Sequence, residues 1–292
     1  MKSSNNQLYL IPPTVLLISF SFAGLAGVES VKIFGYPLIL VSVLTIFLIQ
    51  WIAFIPAYLF QTEKTYDLVG SLTYLVTIYL AFTISKNFDT RSILILSMIT
   101  IWALRLGSFL FLRVHKTGKD GRFDELKTSF IRFLNAWTLQ GMWVTLTLLA
   151  ALIVLTSERV VEPDLFTLAG GILWLIGFLF ESIADHQKSR FKSNPENKDK
   201  FIQSGLWSLS RHPNYFGEIL LWLGILVIAL PVFRGLQWTG LVSPVFVIFL
   251  LTKISGIPIL EKRGNKKWGG QKDYEAYKKA TPLLFPKFIK GK

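Results

Sequence analysis

The stretch Ser208-Leu-Ser-Arg-His-Pro-Asn-Tyr-Phe-Gly-Glu218 sets a guanidinium, an imidazole, an amide, a phenol and a carboxylate where a polar segment enters a long apolar run. Polar groups carried into a membrane segment are costly to keep, and they point to binding or reaction. Asn214 and Glu218 stand four residues apart, as do Glu181 and Asp185 on the preceding run. If both segments are helical, each pair shares a face one turn apart. Two helices presenting such pairs can grip a ribose or a carboxamide. A purely structural account also exists. Pro213 would open a helix, Arg211 would sit at the headgroups, and the acids would pair with Lys188, Arg190 or Arg211. His186 and His212 lack the His-to-His helical spacing of a metal site, so no metal is expected.

A second group lies in Glu63-Lys-Thr-Tyr-Asp-Leu-Val-Gly-Ser-Leu-Thr-Tyr74. Asp67 is a candidate helix cap. Tyr66, Asp67 and Tyr74 also combine proton donors and an acid at helical spacings. Gly70 would let a ligand or a neighbouring helix approach closely. Tyr74 reads equally well as a packing aromatic with a satisfied hydroxyl. Arg105, within Trp102-Ala-Leu-Arg-Leu-Gly107, lies about two turns inside an apolar run. It either snorkels to the surface or pairs in the interior with an acid such as Asp67, Glu181 or Glu218. In both cases a guanidinium remains that can bind phosphate.

The elements that must position these groups are apolar spans. The chain of 292 residues is 52% apolar, with 24 Phe and 9 Trp, and its runs near twenty residues are what a bilayer requires. Eight spans are expected, at roughly 9–27, 36–60, 67–84, 92–112, 131–156, 165–183, 215–233 and 236–257. Pro231 and Arg234 mark a turn between the last two, and seven spans is the rival count. The fold class is an all-α polytopic membrane bundle in one domain, with a basic tail over 258–292. The first run has no small-residue cleavage site after it and is read as a retained helix. With no cysteine, no disulfide framework is possible.

The net charge of +13 follows the loops. Loop 113–130 carries Arg113, Lys116, Lys119, Arg122 and Lys127. Loop 184–214 carries Lys188, Arg190, Lys192, Lys198, Lys200 and Arg211, and ten Lys or Arg follow Pro258. Loop 157–165 holds Arg159 against Glu158, Glu162 and Asp164. Eight spans put the basic regions on one side and both termini in the cytoplasm, with Lys86 and Arg91 a mild exception. This topology accounts for the charge without nucleic acid. A basic face also suits a phosphate-bearing cofactor or anionic lipid, the latter for the tail lysines. The polar residues Tyr66, Asp67, Arg105, Asn135, Gln140, Glu181, Asp185, Asn214 and Glu218 cluster at the cytoplasmic ends, which implies a polar cavity opening there. No Gly-x-Gly-x-x-Gly or Walker loop occurs, so a nucleotide would be held by the bundle and its loops, with 187–211 clamping phosphates. Gly256 and Pro258 are expected to end span eight, with Glu261, Tyr274 and Tyr277 folding back over the mouth.

Arg211-His-Pro-Asn-Tyr-Phe-Gly-Glu218, preceded by Gly205-Leu-Trp, resembles the C-terminal signature of the steroid 5α-reductase-like membrane proteins. Asp67-Leu-x-Gly-Ser, Trp102-Ala-Leu-Arg-Leu-Gly107 and Gly256-Ile-Pro-Ile-Leu-Glu-Lys-Arg263 resemble the uncharacterised branch of that superfamily. The resemblance implies NADPH bound from the cytoplasmic side and reduction of an activated C=C bond; location in the bilayer points to a lipophilic, sterol-, isoprenoid- or lipid-like enone that enters from it. A bacterial inner membrane or endoplasmic reticulum location is expected. Asn214 and Glu218 match the pair that holds the nicotinamide end, and Glu181 and Asp185 match a second pair in part. The cofactor set is then Arg105, Glu181, Asp185, Arg190, Arg211, His212, Asn214, Tyr215, Glu218 and Glu261. Asp67 and Tyr66, with Tyr74 behind them, would polarise the carbonyl or transfer the proton. The family's ketone-holding Gln-Glu pair has no counterpart in Gln61-Thr-Glu63, which leaves the substrate open. The same Arg-His-Pro-x-Tyr-x-Gly stretch is also similar to membrane methyltransferases that use S-adenosylmethionine on prenylcysteine or phospholipid. A non-enzymatic lipid-binding bundle is the third possibility.

Overall fold

The computed structural model describes residues 3–118, 120–121 and 123–287. Lys119, Arg122, Lys290, Lys292 and the Lys116 side chain, all counted above as loop or tail cations, lie outside the described residues. The structure is 77% helical. Its helices are α1 (Ser3–Ala26), α2 (Leu38–Leu59), α3 (Tyr66–Ser85), α4 (Thr90–Thr117), α5 (Phe130–Leu155), α6 (Leu165–Ser193), α7 (Pro213–Ala229), α8 (Val242–Phe249), α9 (Ile257–Trp268) and α10 (Lys272–Ala280). Among the described residues, eight segments are long and apolar enough to cross a membrane, in agreement with the eight runs of the sequence. The all-α membrane class is therefore borne out. A minimal antiparallel hairpin pairs Lys32–Ile33 with Tyr36–Pro37.

The chain groups into two compact units: Met1–Thr167 with Ile228–Ser243, and Leu168–Val227 with Pro244–Lys292. In the first unit α5 is the central helix, contacted by α1, α2 and α3. Its apolar stretch is 78% buried, against 17% for Gln7–Glu29, which includes most of α1. The cause is compositional, because from Val144 to Leu155 α5 is apolar or Thr on every face and fully buried. Polar groups inside this unit find partners across helices. Gln50 Nε2 donates to Thr73 Oγ1 (2.8 Å) and Trp51 Nε1 to Thr138 Oγ1 (3.1 Å). Phe54, Phe123, Phe133 and Trp137 form an aromatic cluster at one end.

Arg91 is 1% exposed. Its guanidinium donates to the carbonyls of Val161, Glu162 and Ile228 and to the Asp164 carboxylate. For Arg91 the mild exception to the charge pattern thus has a physical reason: this cation is an internal tie and not a loop charge.

In the second unit α6 and α7 pack backbone to backbone. A methyl group at Gly217 would lie 2.5 Å from the Glu181 nitrogen, and one at Gly177 would lie 2.5 Å from the Leu221 nitrogen. Both helices must be bare at these points for the approach to occur. The helix ends differ from the hydropathy boundaries. α6 continues to Ser193, well past residue 183, and α4 continues to Thr117. Lys, Arg, Glu and Gln are good helix formers, so leaving the apolar run does not end the helix. At the other expected stop, the chain breaks at Ser255 and Gly256, and Pro258 then opens α9 within its first turn.

Candidate functional site

The close α6–α7 contact decides which side chains meet in the second unit. Glu181 and Asp185, both buried, lie on the helical part of α6, and Asn214 Nδ2 donates to Asp185 Oδ1 at 3.3 Å. Glu218, half-buried, follows Asn214 by one turn. The two expected pairs are therefore neighbours through Asp185 and Asn214.

The segment entering α7 is held from both sides. Gly205, at φ +61°, opens a short 3-10 turn, Gly205–Ser208, in a conformation that favours glycine. The following Leu206 N–H donates to Gln187 Oε1, and Trp207 Nε1 donates to the Ala184 carbonyl. Lys188 Nζ lies 4.4 Å over the Trp207 ring. From the other side, the Arg211 N–H donates to the Pro282 carbonyl, the Ser210 hydroxyl to the Leu284 carbonyl and the Lys287 N–H to the Leu209 carbonyl. Tyr277 Oη donates to the Trp207 carbonyl at 2.7 Å. Burial pushes the Tyr277 phenol far above its ordinary range, so it remains a donor. Tyr274 packs on Phe201 and Trp268.

Glu261 joins two of the expected residues. Arg211 Nη1 donates to its Oε2 at 2.6 Å, and His212 Nε2 lies 2.9 Å from its Oε1. The His212 ring stacks on Tyr215. Burial lowers the His212 pKa below its ordinary value, outweighing the opposite pull of Glu261. Three atoms here are buried with no hydrogen-bond partner among the described residues: Arg211 Nε, His212 Nδ1 and Asn214 Oδ1. Arg190 lies apart from this group. It lines an open cleft of about 560 Å³ with Gln187, Ser193, Asn194, Asn197 and Ser204. One cation among amides and hydroxyls suits a phosphate or a ribose.

The remaining candidates belong to the first unit. Asp67, in the first turn of α3, faces Arg113 of α4 at 3.6 Å. Tyr66 packs on Phe123 and Trp137, and its hydroxyl donates to the Ala136 carbonyl. Tyr74 is buried on α3, edge-on to Trp102, with its oxygen 2.6 Å from Thr147 Oγ1. Because Thr147 gives its own proton to the Trp143 carbonyl, Tyr74 is the donor. Gly70 is covered by the Gln140 side chain of α5. Arg105, half-buried, lies about three turns from the end of α4, deeper than expected because α4 is longer.

Two residues with no expected role are structurally central. Glu63 accepts from Lys127 Nζ (2.7 Å) and from the Asp120 N–H (3.0 Å), which ties the α4–α5 loop to the start of α3. Gln187 holds the Gly205 turn. The available signal for Glu63 was an acid alone in a short turn, with basic residues two loops further on.

A family model described as "Protein of unknown function (DUF1295)" matches residues 53–281. A probable O-methyltransferase, ustE, of Ustilaginoidea virens is 37% identical over 98 residues, 28% of this chain and 34% of that protein. The 3-oxo-5-alpha-steroid 4-dehydrogenase 1 of Rattus norvegicus is 27% identical over 168 residues, 58% of each chain. The protein of the same name from Mus musculus is 27% identical, over 58% of this chain and 59% of its own. The chain thus spans less than two thirds of these relatives. No solved structure matches it. The family match covers most of the chain, from α2 to the end of α10, and the chain accordingly belongs to the DUF1295 family, which is the steroid 5-alpha-reductase-like family.

Proposed function

We propose that this protein is a membrane reductase that uses NADPH to saturate an activated C=C bond in a lipophilic enone reaching it from the bilayer. The observation that carries the reading is the start of α7. There one buried donor, Arg211 Nε, and two buried acceptors, His212 Nδ1 and Asn214 Oδ1, lack partners among the described residues. Buried polar atoms are normally satisfied, so orphans gathered in one short stretch point to a polar ligand. Family membership and the likeness to two 3-oxo-5-alpha-steroid 4-dehydrogenases favour a nicotinamide cofactor as that ligand. Asp185, Asn214, Glu218, Arg211 and His212 would hold its nicotinamide end, and Arg190 its phosphates. When bound, NADPH supplies the hydride. Asp67 and Tyr66 are the groups proposed to polarise the substrate carbonyl or pass a proton, with Tyr74 in reserve.

The test is calorimetry and thermal shift on detergent-purified protein with NADPH, NADH and S-adenosylmethionine. Stabilisation by NADPH, weakened at least tenfold in affinity by Asn214→Ala and Glu218→Ala, is the expected result. Full turnover in folded Asp67→Asn and Tyr66→Phe variants would remove those two residues from the chemistry. The 37% identity to a probable O-methyltransferase supports a second reading, a methyltransferase using S-adenosylmethionine. Stabilisation by S-adenosylmethionine alone would select it. A folded protein that answers none of the three would be read as a lipid-binding membrane protein.

A further inference from the structure

Glu261 lies between a guanidinium and an imidazole, and this fixes where the histidine proton sits. Both carboxylate oxygens are acceptors: Oε2 takes Arg211 Nη1, so Oε1 meets His212 Nε2 as an acceptor. An ionised carboxylate has no proton to give, so Nε2 carries the hydrogen. The hydrogen bond at one ring nitrogen sets the state of the other. In the neutral ring Nδ1 is then a bare lone pair. It is also buried without a partner, on a side chain only 6% exposed.

We propose that Glu261 is a positioning residue that holds His212 in its Nε2–H tautomer, so that Nδ1 and Asn214 Oδ1 accept N–H groups from a ligand head while Arg211 Nε donates to an oxygen of the same head. One donor beside two acceptors is the complement of a primary carboxamide, which has one carbonyl oxygen and two N–H groups. The α-amino-acid head of S-adenosylmethionine carries the same two functions as a carboxylate and an ammonium. The choice of carboxamide rests on the reductase reading; the tautomer does not. Leaving such buried groups unpaired is what lets a site reject an analogue that lacks the matching N–H.

The experiment uses full-length protein labelled with nitrogen-15 in histidine, in detergent near neutral pH, with the His212 signals identified by their loss in His212→Gln. Long-range proton–nitrogen spectra should show an unprotonated Nδ1. Glu261→Gln, whose single amide oxygen is taken by the Arg211 guanidinium so that its NH2 faces Nε2, should move the proton to Nδ1, and Glu261→Ala should mix the two tautomers. NADPH should shift the Nδ1 signal, and its nicotinic-acid analogue, with carboxylate in place of carboxamide, should bind at least tenfold more weakly. A protonated Nδ1 in the free wild-type protein overturns the proposal. So does an Nδ1 signal that stays in place while NADPH raises the Tm, and in that case the reductase reading survives. If only S-adenosylmethionine both binds and shifts the signal, the tautomer and acceptor pair are supported and the reductase reading falls. No response to either compound overturns the proposal.

Discussion

Glu63 keeps 4% of its surface exposed, yet it lies in a turn that hydropathy marks only as a break between spans. Burial pushes its carboxyl upward, and the hydrogen bonds from Lys127 and the Asp120 N–H outweigh that and hold it below the ordinary carboxylate range. A carboxylate with a depressed pKa adds stability that is complete above its unfolded pKa, about 4.3. That stability is lost as pH falls through the folded value. Glu63→Ala should cost about 1–3 kcal/mol at neutral pH. Thermal unfolding in detergent at neutral and acid pH would show the difference from wild type shrinking on the acid side. His212 has the same sign for another reason. It is a base whose pKa burial lowers, so the fold favours the neutral ring. Its contribution is complete above the unfolded value, about 6.5, and declines as pH falls below it. His212→Gln should flatten the Tm profile between about pH 5 and 7. The sequence made the Asn214–Glu218 and Glu181–Asp185 pairs legible because helical spacing is local. It gave no partner for Glu63, since 64 residues of chain separate it from Lys127. Tyr66 and Tyr74 were equally opaque, because their acceptors, Ala136 and Thr147, lie on another helix.

At the scale of elements, the α6–α7 contact is the feature most exposed to a small change. Gly217→Ala adds one methyl group where the Glu181 backbone already stands, and the helices must part. The expected cost is about 1–3 kcal/mol and, on the proposed reductase reading, a loss of NADPH affinity of at least tenfold, because Asp185 and Asn214 separate. Paired unfolding and calorimetric titrations would check it; an unchanged affinity in a destabilised variant would mean that the α6–α7 spacing does not set the site. The apolar runs made every span legible, since a bilayer demands length and little else. The same measure misplaced the ends of α4 and α6, because hydropathy reports where lipid ends and not where the backbone stops winding. Pro258 was legible as an interruption. Its role in starting α9 was not, because proline is compatible with a first turn as well as a stop.

At the scale of the molecule, the first unit is closed by a segment distant in sequence, Ile228–Ser243. Arg91 joins these parts through the Ile228 carbonyl, and Ser243 Oγ donates to the Leu146 carbonyl. Arg91→Ala removes a buried cation and leaves the Val161, Glu162 and Ile228 carbonyls without it. The expected loss is about 3–5 kcal/mol, read as a fall in Tm, with Arg91→Lys recovering only part because an ammonium lacks the planar fork. Counting loop charges could not reveal this, because a count treats a buried tie and a solvated lysine alike.

This tie also constrains the order in which the protein can be made. Domains form from the N-terminal end as the chain is synthesised. Here the stretch 168–227 must leave the ribosome before the last acceptor of Arg91, the Ile228 carbonyl, exists. Until then the guanidinium has its partners at Val161, Glu162 and Asp164 but lacks Ile228, and the unit waits incomplete. An interval of translation, and not only a set of contacts, is thus written into the position of one arginine.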